Sequence, residues 1–280
     1  MGDITNTRKL STNIISRTHC YNNLEISSGT YLGMRNENQD NISIENINNK
    51  TIFILCDGHG GNYISKRICN MLLSKFLEGT KLDNIEEIEK VFITIDEYFY
   101  KNFYKHKPKR EGTTCSILIF DDENIYGINL GDSNYLISKY SESFIGDIHR
   151  PNNRVEISRI LESGNKIMKV GKDFRINGRL SLSRSFGDFS YKLIDNKYTG
   201  INGAVSVSPD FKTYSKDFDF AILASDGFWD FINAKKMLIF IRLNIRTGSC
   251  DSIIEGLIKM AINNGSKDNI TVILIKFCGK

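Results

Sequence analysis

Several features that would place a protein in a specialised class are missing from this 280-residue sequence. No apolar run approaches the roughly 18 residues that a membrane-spanning helix needs, and no signal-peptide pattern is present. The six cysteines include no Cys-x-x-Cys pair, which favours reduced thiols. Near-balanced charge, net +4, and the lack of an aromatic and basic stripe argue against nucleic-acid binding.

These absences favour a cytoplasmic or nuclear protein without a membrane span. N-terminal myristoylation is not expected, because the motif calls for Ser or Thr where this chain has Asn6. Formal N-glycosylation sites include those that begin at Asn41, Asn264 and Asn269, and two of these adjoin acids that are candidate metal ligands, where a glycan would block access. We therefore expect a compartment without N-glycosylation, and we expect a monomer.

Element order indicates the fold class. Apolar runs predict a central strand over 51–56, helices over about 61–78 and 84–105, and a meander of strands over 113–140. A helix over 154–163, an irregular stretch over 164–179, further strands that include one over 220–224, helices over 234–245 and 249–263 and a last strand over 269–277 follow. This is not the regular alternation of a parallel sheet, so we predict an α+β fold with antiparallel sheets and helices packed outside them. Residues 1–28 look like a polar arm with one strand near Cys20–Ile26, and 29–280 like one domain.

Five aspartates stand at predicted strand ends. Three follow strands in the runs Cys56-Asp57-Gly58, Leu130-Gly131-Asp132 and Ser225-Asp226-Gly227, while Asp40 and Asp268 precede strands. Each one alone is more often a turn residue. Together at one edge, the carboxylates would repel one another unless cations lay between them, and an all-oxygen site suits Mg²⁺ or Mn²⁺.

The run after the central strand also carries His59 and three glycines. Glycines allow close backbone approach, so the Gly58 carbonyl could reach an ion. The alternative for this stretch taken alone is an ordinary strand-to-helix turn with Asp57 near a helix N-terminus.

The sequence resembles a known family, the metal-dependent Ser/Thr protein phosphatases of type 2C. The resemblance covers about 30–277, and the matching segments occur in the family's order. They are Gly33-Met34-Arg35 to Asp40, Phe53 to Gly61, Gly112-Thr113-Thr114, Asn129 to Ser133, His149-Arg150-Pro151, Leu182 to Asp188, Pro209-Asp210, Ala224 to Asp230, and Lys267 to Thr271.

The resemblance implies a β-sandwich of two antiparallel sheets flanked by helices on both sides, with a di-metal cleft at one edge. It implies a phosphatase acting on phosphoserine and phosphothreonine in phosphorylated proteins, by attack of a water that bridges two Mg²⁺ or Mn²⁺ ions. Residues 165–178 would form a variable flap beside the cleft. The implied metal residues are Asp57 as bridge, the Gly58 carbonyl, Asp226, Asp268, Asp40 through water, and Asp132 at a third, weaker site.

Two further residues receive roles from this chemistry. Arg35 would hold the phosphate oxygens, since a planar guanidinium does so better than lysine. His59 would be the general acid that protonates the serine or threonine alkoxide. A surface arginine and a turn histidine are the alternatives.

The sequence departs from the family pattern at two positions. Gln39 stands where the family usually has Glu, which removes a charge beside Asp40 and predicts a weaker hold on one metal. Ile148 stands where the family commonly has Asp before His149, and Asp147 could take that place after a one-residue shift.

Rival classes fit less well. No cysteine begins the Cys-x5-Arg motif of cysteine phosphatases, and Gly146-Asp147-Ile148-His149 lacks the final glycine and the later motif of calcineurin-like phosphatases. The serious alternative is a pseudophosphatase of the same fold that binds phosphoproteins. Loss of a direct metal acid would indicate it, and all of those acids are present.

Overall fold

The computed structural model describes residues 15–21, 23–47, 49–69, 79–105 and 110–277. Two antiparallel sheets stack face to face and helices cover their outer faces, which confirms the predicted α+β sandwich. No helix among the described residues is long and apolar enough to cross a membrane.

The elements follow in chain order. The strands are β1 (Ile15–Tyr21), β2 (Leu24–Tyr31), β3 (Asp40–Ile47), β4 (Lys50–His59), β5 (Gly112–Thr113), β6 (Cys115–Phe120), β7 (Asn124–Leu130), β8 (Asn134–Lys139), β9 (Glu142–Ile145), β10 (Ile167–Val170), β11 (Asp173–Ile176), β12 (Phe186–Gly187), β13 (Leu193–Ile194), β14 (Lys197–Tyr198), β15 (Asp210–Ser215), β16 (Phe220–Ala224) and β17 (Ile270–Phe277). The helices are α1 (Tyr63–Arg67), α2 (Ile85–Phe99), α3 (Arg154–Glu162), α4 (Asp226–Trp229), α5 (Ala234–Asn244) and α6 (Cys250–Asn263).

One sheet has the strand order β1-β2-β17-β16-β8-β9. The other has the order β12-β5-β4-β6-β7-β15, and β3 also pairs with β4. Strand β4 shows why the sheets stack, because alternate residues point to opposite faces of a strand. Phe53 and Leu55 join the core between the sheets, while Ile52, Ile54 and Cys56 join the core beneath α1 and α2. The central strand is therefore apolar on both faces, as the sequence predicted.

The first sheet is built in the same way. In β17, Ile273 and Ile275 face the other sheet, whereas Val272 and Leu274 pack in the core with apolar residues of α5 and α6. The predicted helices over 234–245 and 249–263 thus match α5 and α6 within one residue, and the predicted strand 220–224 matches β16.

The prediction of a polar arm over 1–28 with one strand near Cys20–Ile26 is only partly right, because the described residues there form two strands, β1 and β2, of the first sheet. The polar residues of β2 hid the strand pattern, because its buried serines have hydrogen-bond partners that lie far away in the sequence. The Ser27 hydroxyl donates to Asp251 at 2.6 Å, and the Thr30 and Thr271 hydroxyls lie 3.1 Å apart. Residues 1–14 lie outside the described part of the chain.

Two other segments differ from expectation. The stretch 164–179, predicted to be irregular, contains the hairpin of β10 and β11, with Gly171 at φ +63° in its turn. The helix predicted over 84–105 is α-helical as far as Phe99 and continues as a wider π-helical turn over Tyr100–Tyr104. Of the helix predicted over 61–78, residues 70–78 lie outside the described ranges.

A buried ion pair ties α2 to the segment that follows β12. Lys192 Nζ donates to Asp96 Oδ2 at 2.6 Å, and both side chains are fully buried. Asp96 also accepts from the Gly187 amide and the Tyr198 hydroxyl, each at 2.7 Å. Burial raises the pKa of Asp96 and lowers that of Lys192, and the attraction between the two charges opposes both shifts.

Substitution Lys192→Met is expected to lower the free energy of unfolding by about 3–5 kcal/mol, because Asp96 would keep a buried and uncompensated charge. Urea unfolding followed by circular dichroism measures the change. Lys101→Met is the matched control, since Lys101 pairs with Glu97 on the exposed face near the end of α2 and such a pair contributes about 0.3–0.5 kcal/mol. Equal losses for the two variants would contradict the prediction.

Candidate active site

The central strand carries the first part of the site. The sequence predicted that this strand would stop before Asp57, but β4 continues to His59 because β5 pairs with Gly58 and His59. On its other side, β3 begins at Asp40, which lies directly opposite Asp57 in the ladder. Backbone pairing thus fixes two carboxylates and a histidine at one end of the sheet.

The remaining predicted acids come from three separate connections. Asp132 lies in the turn after β7, Asp226 is the first residue of α4, and Asp268 stands two residues before β17. They line one cavity of about 370 Å³, shared by Arg35, Asp57, Gly58, His59, Asp132, Asp226 and Asp268. The structure therefore brings together seven of the eight predicted site residues at this cavity, and it sets Asp40 beside them.

Asp40, opposite Asp57 in the β3–β4 ladder, is buried. Its Oδ2 accepts a 2.9 Å hydrogen bond from the Ser225 hydroxyl, whereas its buried Oδ1 has no hydrogen-bond partner. A buried carboxylate oxygen without a partner costs free energy, so this atom is suited to a further ligand such as an ordered water.

Position 58 has no room for a side chain, so it requires glycine. A Cβ at this position would lie 2.6 Å from the Ser65 hydroxyl and 2.8 Å from the Gln39 carbonyl oxygen. The Gly58 amide donates to that same carbonyl at 3.2 Å. The backbone of the cleft is therefore fixed by direct contact with the segment that carries Gln39 and Asp40.

Burial and mutual repulsion perturb the carboxylates. Burial, followed by the neighbouring acids, raises the pKa of Asp57 well above its usual range and that of Asp226 to about 8. Burial likewise raises the pKa of Asp40 to about 6 and raises that of Asp132. Such a cluster of buried acids lacks positive charge, and a divalent cation would supply it.

Two arginines supply part of that charge. Arg35 pairs with Asp268 at 2.6 Å, and Arg150 lies 3.4 Å from Asp132 and 2.6 Å from Asp230. Among the described residues, no three His, Cys, Asp or Glu side chains are already arranged to hold an ion. The donor set of carboxylates and a carbonyl fits Mg²⁺ or Mn²⁺, provided that Asp268 and Asp132 exchange their arginine partners for it.

His59 lies at the cavity wall, with its Nε2 2.6 Å from Asp188 Oδ2. Burial lowers the pKa of His59, but the Asp188 charge and hydrogen bond outweigh burial and the net shift is upward. Burial by itself raises the pKa of Asp188. The charge and hydrogen bond of His59 outweigh burial, so the net shift of the Asp188 pKa is downward. The ring is thus held beside a carboxylate that favours its protonated form.

The predicted flap and one of the two departures from the family pattern lie at the cavity. Arg175 and Arg179, from β11 and the turn after it, line the same cavity. Gln39 also lines it and donates to Glu37 at 2.9 Å. Asp147 is exposed and pairs with Lys212, while His149 is buried and contacts Asp210 instead.

Sequence reasoning gave no role to Asp188, Asp230 or Arg150, although all three fall in the matched segments. His59 and Asp188 are 129 residues apart in the sequence, and Arg150 and Asp230 are 80 residues apart. The signal available was a polar residue within an otherwise recognisable motif, but spacing alone could not pair these residues.

The raised carboxylate pKa values predict a pH dependence of stability for metal-free protein. An unfolded aspartate ionises near pH 4, while folded Asp226 keeps its proton up to about pH 8. The folded state therefore binds more protons in this window, so the free energy of unfolding falls as pH rises. In EDTA, we expect a lower melting temperature at pH 8 than at pH 5, and a smaller difference for Asp226→Asn. The same pH difference in both proteins would contradict the assignment.

Comparisons with known proteins agree with this geometry. Residues 19–270 match the family described as Protein phosphatase 2C. Protein phosphatase 1A of Homo sapiens is 30% identical over 243 residues, which are 81% of this chain and 62% of that protein. Protein phosphatase 1B of Mus musculus is 28% identical over 254 residues, covering 82% of this chain and 63% of that protein. This chain thus spans less than two thirds of the length of these relatives.

Solved structures share the fold. A phosphatase from a pathogenic strain of Toxoplasma gondii superposes with a TM-score of 0.85 at 19% identity, covering 96% of both chains. With the family match extending over residues 19–270, the chain belongs to the protein phosphatase 2C family.

Proposed function

We propose that this protein is a metal-dependent phosphatase that hydrolyses phosphoserine and phosphothreonine in proteins. The observation that carries the proposal is the single cavity in which the Asp57, Asp226 and Asp268 carboxylates face Arg35 and His59. Family membership supports the same activity, since the relatives named above are protein phosphatases.

The proposed cofactors are two Mg²⁺ or Mn²⁺ ions. Asp57 and the Gly58 carbonyl would hold one of them, Asp57, Asp226 and Asp268 the other, and Asp40 would act through an ordered water. When bound, such ions lower the pKa of water and polarise phosphoryl oxygens. A third ion beside Asp132 would have to compete with the Arg150 guanidinium, which supports a weaker third site.

The chain's own residues would bind and protonate the substrate. Arg35 is more than half exposed at the cavity and, once released from Asp268, presents a planar fork to phosphate oxygens. His59 would donate a proton to the departing serine or threonine oxygen, a poor leaving group when unprotonated. Arg175 and Arg179 line the same cavity and would lie beside the bound phosphoprotein.

We also propose a cytoplasmic or nuclear location and a monomeric state. The Asn269 amide is buried and donates to the Leu32 and Glu37 carbonyls, so a glycan there would disrupt the site loop. Cys56, Cys69, Cys115 and Cys250 are free thiols. All the proposed site residues come from one chain, which supports activity as a monomer.

Release of phosphate from a phosphothreonine peptide tests the function. Purified protein should be active with Mn²⁺ or Mg²⁺ and inactive in EDTA, and Asp57→Asn should lower kcat by at least about 100-fold, because it removes a charge from the ligand set. Asp122→Asn, in an exposed turn, is the matched control and should retain activity. A folded wild-type protein that releases no phosphate with either metal would favour the pseudophosphatase.

A metal titration tests the role of Gln39. Gln39→Glu should lower the metal concentration needed for half-maximal activity, because it adds a carboxylate at the cavity wall. Asn36→Asp introduces the same charge change at an exposed position of the same loop and should leave the metal dependence close to wild type. Identical titrations for wild type and Gln39→Glu would show that the missing charge has no effect on metal binding.

A further inference from the structure

The contact between His59 and Asp188 is built into the fold rather than made at its surface. Asp188 is 4% exposed, and its Oδ2 lies 2.6 Å from His59 Nε2. Among the described residues, Asp188 is the only hydrogen-bond partner of the His59 ring. The contact joins the end of β4 to the segment after β12.

Asp188 is fixed from several directions. The Ser185 hydroxyl donates to the same Oδ2 at 2.7 Å, and the Asp188 amide donates to the Glu111 carbonyl at 3.0 Å. Its backbone is in the left-handed region, at φ +48°, which a non-glycine residue adopts only at a cost. Surrounding contacts must hold it there, so the direction of the carboxylate is set before any substrate binds.

The buried ion pair of Asp96 and Lys192 extends this support. Lys192 Nζ donates to the Ser185 carbonyl at 2.8 Å as well as to Asp96. Ser185, which holds Asp188, is thus itself held by a fully buried lysine. A line of hydrogen bonds runs from the α2 core to the His59 ring.

The space around the contact is filled. A Cβ at Gly112 would lie 2.3 Å from Asp188 Oδ2 and 2.6 Å from His59 Nε2. Only glycine therefore lets the ring and the carboxylate meet, and this glycine is needed for its size, since its φ lies outside the positive region. Substitution at this position offers a way to separate the two groups without removing either of them.

An imidazole that gives one nitrogen to a carboxylate has one nitrogen left for chemistry. With Nε2 donating to Asp188, the proton available to a substrate is the one on Nδ1. A carboxylate partner of this kind fixes the ring's orientation and tautomer and stabilises its protonated form.

We propose that Asp188 is a positioning residue, which holds the His59 ring so that Nδ1 delivers its proton to the leaving-group oxygen; this inference rests on the proposed phosphatase function. Water adds to phosphorus, the bond from phosphorus to the serine or threonine oxygen breaks, and that oxygen takes the Nδ1 proton. The ring is left neutral, with one proton still bound to Nε2 and hydrogen-bonded to Asp188. Solvent takes up the proton lost by the attacking water and returns a proton to Nδ1 after the alcohol leaves.

Leaving-group dependence tests the proposal, because an acid matters only when the leaving oxygen is strongly basic. Asp188→Asn should lower kcat on a phosphothreonine peptide by about 10- to 100-fold and change kcat on p-nitrophenyl phosphate by less than about 3-fold, with KM for the peptide little changed. His59→Gln, which removes the acid itself, is the reference and should show a selective loss at least as large. An equal loss on both substrates in Asp188→Asn would indicate a structural role and overturn the proposal.

A second pair of variants guards against misfolding of Asp188→Asn. Gly112→Ala should reproduce the selective loss by separating the ring from the carboxylate. Gly79→Ala is the matched control, since its Cβ would meet nothing within 4 Å, and it should behave as wild type. Wild-type selectivity in a folded Gly112→Ala protein would also overturn the proposal.

A spectroscopic measurement separates this proposal from the proposed function. In nitrogen-15-labelled wild-type protein, the His59 Nε2 proton should give a downfield hydrogen-bonded resonance that Asp188→Asn and Gly112→Ala remove. The contact between the buried His149 and the partly exposed Asp210, at 3.0 Å, provides a reference resonance that should persist. An inactive wild-type protein with the His59 resonance would refute the phosphatase and with it any role of Asp188 in catalysis. An active protein without the resonance would refute the positioning role alone.

Discussion

The rest of this structure depends on a group of buried carboxylates that repel one another. Each of Asp57, Asp226 and Asp132 is less stable ionised in the cleft than in water, because burial and neighbouring acids raise its pKa. Backbone pairing holds the acids where side-chain attraction cannot. The β3–β4 ladder sets Asp40 opposite Asp57, and α4 begins at Asp226. The free energy that keeps these charges close must come from the two sheets and their covering helices.

Arginines moderate this repulsion. Arg35 and Arg150 each pair with an acid of the cleft, one at Asp268 and the other at Asp132 and Asp230. Both arginines are partly exposed, so they can exchange partners more easily than a fully buried pair such as Asp96 and Lys192. The guanidinium that compensates Asp268 could therefore serve the proposed phosphate binding when that acid has another partner.

The sequence was sufficient to predict most of the fold, because long apolar runs with clear spacing dominate it. Strand β16 and helices α5 and α6 follow directly from such runs. It predicted a single strand where β1 and β2 form a pair, because Ser27 and Thr30 of β2 have their hydrogen-bond partners in Asp251 and Thr271, more than 200 positions away. It also ended the central strand too early, because Gly58 and His59 resemble a turn until β5 pairs with them.

For the site, the recurring strand-end aspartates and the family resemblance predicted the acids, Arg35 and His59, and all of them except Asp40 line one cavity. They did not identify what each side chain contacts. The pairing of His59 with Asp188 depends on the packing of two distant segments around Gly112, which no local pattern encodes. Positions can therefore be predicted from motifs, whereas partners require the three-dimensional arrangement.

The loop that carries Arg35 is fastened to the segment that carries Asp268. The Met34 amide donates to the Lys267 carbonyl at 2.8 Å, and a Cβ at Gly33 would lie 2.1 Å from the Asp268 carbonyl oxygen. Strand β2 also depends on β17 as its inner neighbour in the sheet. During translation, a nascent chain has neither its cleft nor a complete first sheet until the residues of β17 leave the ribosome. The loop that carries Arg35 is therefore fastened only after β17 has left the ribosome, and until then chaperones would meet this protein with β2 still unpaired on that side.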